Sequence, residues 1–200
     1  MPVGFTDEEQ KEIKENLFYA GIELIRELGV QRTTVDKLTK KCGIAKGSFY
    51  LFYSSKEEYL MALAMFASEQ TSKMLKKKLA GRQQMTTAEF FEFFKEYLYS
   101  DYDLMGSLRI NDFFWLKEHM SDYHLFDPDE QMITMKQWLG LMSDAKADID
   151  TGTVVNLIKA IYAMREHRDN LVESSLDNSI DILLKTLEFY ISGKINKEDL

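Results

Sequence analysis

Only two prolines, Pro2 and Pro128, interrupt 200 residues, so almost nothing in the chain forbids long helices. Apolar residues recur at helical intervals along most of its length. Ile13, Leu17, Leu24 and Leu28 mark a first helix that Gly29 closes. Phe90, Phe93, Phe94 and Tyr97 share one side of another, and residues 104–120 read as a helix rich in aromatics. Val154, Leu157, Ile158, Ile161 and Tyr162 mark a penultimate helix. Ile180, Leu183, Leu184, Leu187 and Ile191 mark the last, with Gly193 as its stop. No segment alternates polar and apolar residues in the manner of a strand. The expected fold class is all-α, with about nine helices.

Start signals support that division. Thr6-Asp7-Glu8-Glu9, Ser55-Lys56-Glu57-Glu58 and Thr86-Thr87-Ala88-Glu89 each place a hydroxyl three residues before a carboxylate, the spacing of a capping box. Asp127-Pro128-Asp129-Glu130 sets a cap, a first-turn proline and an acid in order. Short helices are expected at about 33–42 and 46–53, and a long one from Ser55 to about Ala80. Residues 143–152 read as a polar connection, and the last two helices as about 153–167 and 176–192.

Composition narrows the class of protein. Hydrophobic residues make up 45% of the chain, enough for a packed core. One cysteine, Cys42, excludes an internal disulfide and suits a reducing compartment. The first ten residues lack the basic-then-apolar order of a signal peptide, and the longest apolar run, residues 59–67, is too short to span a bilayer. A soluble, cytoplasmic protein is expected. The net charge of −8 argues against non-specific polyanion binding. Yet residues 32–56 hold six bases (Arg32, Lys37, Lys40, Lys41, Lys46, Lys56) against one acid, Asp36. Such a local excess suits a surface facing phosphates, and equally a solvated lysine face.

The informative stretch is residues 33–60, TTVDKLTKKCGIAKGSFYLFYSSKEEYL. It reads as short helix, tight turn, short helix. Gly43 can take a positive φ where the chain reverses. Val35, Leu38 and Cys42 give the first helix an apolar side, and Ile44 and Phe49 can lock the pair at a fixed angle. The second helix then presents Lys46, Gly47, Ser48 and Tyr50 outward, a shape that fits a major groove.

The matches Thr34-Val35, Gly43-Ile44, Lys46-Gly47-Ser48-Phe49-Tyr50, Tyr53, Ser55-Lys56-Glu57 and Leu60 resemble the N-terminal signature of the TetR (tetracycline-repressor-like) family. Ala20-Gly21-Ile22-Glu23-Leu24-Ile25 and Gly29 resemble that family's first helix. The resemblance covers about 55 residues. It implies a three-helix DNA-binding domain over residues 1–54, a connecting helix at 55–80, and a ligand-binding and dimerisation domain within 55–200. It implies DNA contacts from Thr33, Thr34, Lys46, Gly47, Ser48, Tyr50, Leu51 and Lys56. Among these, Thr34, Tyr50 and Lys56 would face phosphates, and Lys46, Gly47 and Ser48 would lie near base edges. Three positions depart from the pattern: Ala45 where Ser or Thr is common, Phe52 where His or Tyr is frequent, and Tyr53 for a usual Phe.

Beyond Leu60 no specific motif occurs. Aromatic and methionine residues there suit an apolar pocket, for which the candidate lining is Phe94, Tyr97, Phe114, Trp115, His119, Trp138 and Tyr162. The same residues suit an ordinary helical core. His119 and His124, beside Asp122 and Asp127, lack the spacing of a metal pair within one helix, so no metal and no cofactor are expected. Neither a nucleophile elbow nor a phosphate loop is present, which argues against an enzyme. The resemblance implies a homodimer through the last two helices, a palindromic operator, and release by a small, largely apolar effector. The competing expectation is a helical ligand- or protein-binding module without operator binding, for which Ala45 and Phe52 speak.

Overall fold

In the computed structural model, residues 5–120 and 128–194 are described. Nine α-helices run through them: α1 (Asp7–Leu28), α2 (Val35–Cys42), α3 (Lys46–Phe49), α4 (Lys56–Leu79), α5 (Thr87–Leu98), α6 (Ile110–His119), α7 (Pro128–Gly140), α8 (Thr151–Glu166) and α9 (Leu176–Ser192). The only strand-like pairing among the described residues is a single bridge between Met85 and Met142.

Local chemistry explains most boundaries. Thr6 and Glu9 form a reciprocal capping box at the start of α1, and Thr86 and Glu89 form one at α5. Pro128 opens α7, where its missing N–H has no helical partner to lose. Two expected helices are shorter than their periodicity suggests. The segment 104–120 breaks after a short 3-10 turn at Met105–Ser107, because Asp103 accepts the Gly106 amide and the Ser107 hydroxyl bonds back to the Asp103 carbonyl. In α3 the pattern ends at Phe49, where the amides of Leu51 and Phe52 turn to carbonyls three residues back. The expected α3 over 46–53 is thus one turn of α-helix tightened into a loop.

By packing, the chain gathers into two compact units that do not follow chain order. The first comprises residues 1–71 and 101–122, the second residues 72–100 and 123–200. The first therefore contains α1, α2, α3, most of α4, and α6. Its centre is a ring cluster. Tyr59 on α4 is fully buried, with Phe49 and Tyr53 at 5.5 and 5.4 Å between ring centroids and Phe18 stacked at 6.3 Å. The Tyr59 hydroxyl donates to the Leu17 carbonyl at 2.7 Å. Burying such a ring contributes about 2–3 kcal/mol, so this cluster fixes α3 against α1 and α4.

In the second unit Phe90, Phe93, Phe94 and Leu98 of α5 pack with Val154 and Ile161 of α8 and Ile180, Leu184, Leu187 and Ile191 of α9. Trp138 of α7 meets Phe90 and Phe94 edge-on at 5.6 and 5.7 Å. The Asp144 carboxylate accepts both the amide and the hydroxyl of Thr87, at 2.6 and 2.7 Å, and so ties the 143–150 connection to the start of α5.

Arg82 reinforces the α5 capping box. Its guanidinium reaches Glu89 at 3.0 Å, while Glu89 accepts the Thr86 amide at 2.8 Å. The Arg82 hydrogen bond leads, with the Thr86 amide next, in lowering the Glu89 carboxyl from 4.5 to about 2. A carboxyl whose folded pKa is depressed stabilises the fold above its unfolded value and loses that contribution as pH falls through the folded one. The gap in thermal midpoint between wild type and Glu89→Gln should therefore be full above pH 4.5 and close toward pH 2. A gap that stays constant over that range contradicts the assignment.

Candidate nucleic-acid interface

The site begins with a backbone reversal at Gly43. Gly43 adopts φ 66° and ψ 25°, and its amide reaches the carbonyls of Lys40 and Thr39 while the Ile44 amide also bonds to Thr39. That left-handed cap ends α2 and turns the chain into α3, as the glycine suggested. Leu38 and Phe49 are both fully buried and pin the two helices together. At the other end, Thr34 caps α2 by accepting the Lys37 amide at 3.3 Å. Its hydroxyl hydrogen is left to donate outward, beside the positive end of the helix.

Around this frame several residues of α3 and its flanks are exposed. Tyr50 is 50% and Leu51 72% exposed. The Lys46 ammonium is half exposed and paired with Asp36 at 2.9 Å. An ion pair so open to water is held only weakly, so a phosphate can compete for this lysine. Gly47 has no positive φ, and nothing lies within 4 Å of where its β-carbon would be. No contact inside the described chain calls for glycine there; close approach from outside would. Ser48 sits half-buried beside it.

Other candidates stand elsewhere. Thr33, expected on the DNA face, is completely buried and donates its hydroxyl to the Gly29 carbonyl at 2.9 Å. It is a structural pin of the α1–α2 turn, because a buried hydroxyl must find a partner in the chain. Lys56 is engaged within the first unit. Its ammonium is half-buried, donates to the carbonyls of Val30 at 2.6 Å and Gln31 at 3.3 Å, and lies 4.6 Å over the Trp115 ring. Burial pushes its pKa below the ordinary lysine value, with Glu57 and Asp112 opposing. It does not present a free cation to solvent.

The expected pocket residues divide between the two units. Phe94 and Tyr97 are buried, and Trp138 and Tyr162 pack against the same core, all in the second unit. Phe114, Trp115 and His119 belong to the first. Phe114 is 69% exposed, Trp115 seats Lys56, and His119 stacks on Trp115 at 4.2 Å with its Nδ1 2.9 Å from the Trp115 carbonyl. These three do not join the aromatic core of α5, α7 and α8. Asp122, His124 and Asp127 lie outside the described residues, and among those described no group of His, Cys, Asp and Glu could hold a metal ion. Cys42 is half-buried, its thiol bonds to the Asn16 carbonyl, and burial raises its pKa.

Sequence reasoning missed Asp112 and Arg109. Asp112 is buried and accepts the Val30 amide at 2.6 Å, and the Arg109 guanidinium donates to the Glu27 carbonyl at 2.7 Å. Each partner is 82 residues away in sequence, so no local pattern could have revealed them.

Ala45 precedes α3 with extended backbone and offers no side-chain cap. Ala45→Ser restores an acceptor for the first free amides and should stabilise the first unit by about 0.5–1 kcal/mol. Denaturant midpoints read this directly, and an unchanged midpoint speaks against α3 behaving as a capped helix.

A short helix locked by a left-handed glycine turn, with an exposed cationic and aromatic face, defines a helix-turn-helix protein. Residues 17–63 match the family model described as bacterial regulatory proteins, tetR family. The chain is 34% identical over 73 residues to the HTH-type transcriptional regulator YvdT of Bacillus subtilis (strain 168), and 39% identical over 44 residues to that organism's fatty acid metabolism regulator protein. The first match spans 36% of this chain and 38% of YvdT, the second 22% and 23%. Among solved structures, a gamma-butyrolactone receptor (ArpA-like protein) aligns over 90% of this chain and 98% of its own, with TM-score 0.54 and 18% identity. The regulator TylP of Streptomyces fradiae aligns over 90% and 87%, with TM-score 0.58 and 15% identity. Over residues 17–63 the chain is similar to the tetR family of bacterial regulatory proteins, and it spans well under half the length of the curated relatives it matches. Among the described residues no helix is long and apolar enough to cross a membrane.

Proposed function

We propose that the protein is a cytoplasmic transcriptional repressor that binds a palindromic operator as a homodimer and releases it on binding a small, largely apolar effector. The observation that carries this reading is the exposed face of α3 and its flanks. Lys46 and Tyr50 stand in solvent, Gly47 leaves an open approach, and Thr34 offers a hydroxyl at the N-terminus of α2. Thr34 and Tyr50 would meet phosphates, and Lys46, Gly47, Ser48 and Leu51 would lie at or near base edges.

The remaining roles are those that the resemblance of residues 17–63 to the family implies. Residues 1–54 form the reading head. The rest of the chain holds the effector and makes the dimer through α8 and α9. Within the aromatic core, Phe94, Tyr97, Trp138 and Tyr162 are the candidate effector contacts. One solved relative is described as a gamma-butyrolactone receptor, which supports a compact apolar effector with a polar group. Helix α4 contributes residues to both compact units, so a change in its pose would alter the spacing of the two heads.

Selection of duplexes from a random pool by the full chain tests the reading. A recovered site with two-fold symmetry, bound by a dimer with an affinity that falls steeply with salt, supports it. Failure to enrich any duplex, or a monomer in sedimentation at micromolar concentration, sinks it.

A further inference from the structure

Lys56 occupies the position at which family resemblance implies a phosphate contact, yet the structure commits its ammonium elsewhere. Three N–H groups are available on a lysine. They face the Val30 carbonyl at 2.6 Å, the Gln31 carbonyl at 3.3 Å and the Trp115 ring at 4.6 Å. The turn that receives them is also held by α6, which carries Trp115, and by the residue before it. Asp112 accepts the Val30 amide at 2.6 Å, so both backbone polar groups of this buried residue are bonded to side chains. Arg109 donates to the carbonyls of Glu27 and Arg26 in the last turn of α1. Two residues beyond Gln31, buried Thr33 bonds to Gly29, and Thr34 then caps α2. The clamp therefore sets where the helix-turn-helix begins.

We propose that Lys56 is a positioning residue that, with Trp115 and Asp112, sets the α1–α2 turn and through it the pose of the reading helices, and that it is not itself a phosphate contact. The inference deepens the operator-binding reading and rests on it. It also assigns the aromatic face of α6 a task in the head, distinct from lining an effector pocket.

The two roles leave different thermodynamic signatures. A lysine on a phosphate contributes to every duplex, and its loss flattens the slope of log Kobs against log salt by about 0.9. A positioning lysine matters only where base edges must be met in register. The experiment uses the full chain, the selected duplex and a scrambled duplex of equal length, over a salt series. Lys56→Met, which keeps the stem and removes the charge, should weaken binding to the selected duplex about tenfold, leave the scrambled duplex within about twofold, and leave both salt slopes unchanged. Trp115→Leu should weaken selected binding about threefold, and adding it to Lys56→Met should cost nothing further, because the two act through one contact. Lys56→Arg should restore selected binding, since a guanidinium can donate to both carbonyls and stack on the indole.

Equal weakening on both duplexes with a flattened slope makes Lys56 a phosphate contact and overturns the proposal. So does a pair of fully additive losses. Should the wild-type chain select no duplex, the operator reading falls on its own, and the clamp is judged by amide exchange instead. Lys56→Met must then speed exchange at Val30, and an unchanged rate overturns it.

Discussion

Gly21→Ala should destabilise the first unit by about 3 kcal/mol, although alanine is the better helix former by about 1 kcal/mol. Gly21 is buried in the middle of α1. A β-carbon there would overlap the Tyr59 hydroxyl oxygen and lie 3.0 Å from its Cζ and 3.3 Å from a Leu63 methyl carbon. The ring has nowhere to retreat. It is fully buried among Phe18, Phe49 and Tyr53, and its hydroxyl is held by the Leu17 carbonyl. Overpacking therefore outweighs propensity, and the expected fall in the first unit's thermal midpoint is about 15 °C. Tyr59→Phe in the same chain removes the closest atom and should recover about half of the loss, the ring edge remaining tight. Scanning calorimetry of the two variants decides the matter: a Gly21→Ala chain as stable as wild type would falsify the packing account.

How far such features could be read in advance depended on sequence distance. The capping boxes at Thr6 and Thr86 were legible because cap and carboxylate lie three residues apart and interact through local backbone geometry. The Gly43 turn was legible for the same reason, since one residue needs a positive φ and glycine supplies it. The fault in the long aromatic segment 104–120 was not. Asp103 and Ser107 redirect backbone bonds there, and helical periodicity carries no mark of that competition. Thr33 failed as a DNA contact because exposure is a tertiary property. Its neighbour Thr34 has the same side chain and faces solvent. The pairing of Lys56 with Trp115 was not legible either: each looked suited to a role of its own, and only the fold brings them 4.6 Å apart.

Asp112→Ala tests the long-range part of the first unit most severely and should cost about 3 kcal/mol. The carboxylate is 4% exposed. One oxygen accepts the Val30 amide at 2.6 Å, the other the Arg109 amide at 2.9 Å. Alanine leaves the Val30 amide buried without a partner, which alone costs about 1–3 kcal/mol, and removes the acid facing Lys56. Asp112→Asn should cost about 2 kcal/mol, since its single carbonyl oxygen can serve one amide while its NH2 group turns toward the other donor. Arg109→Met gives the contrast. Its guanidinium bonds to exposed carbonyls at the end of α1, which water can reach, so its loss should cost only about 0.5–1 kcal/mol. The chain has two tryptophans, Trp115 in the first unit and Trp138 in the second. Urea unfolding followed by Trp115 fluorescence, in a Trp138→Phe reference chain, therefore reports on the first unit alone. The ranking Ala, then Asn, then the Arg109 variant follows from burial of the unpaired amide. Equal costs for Asp112→Ala and Arg109→Met would mean that water reaches Val30, and that the clamp between α6 and the helix-turn-helix is a surface contact.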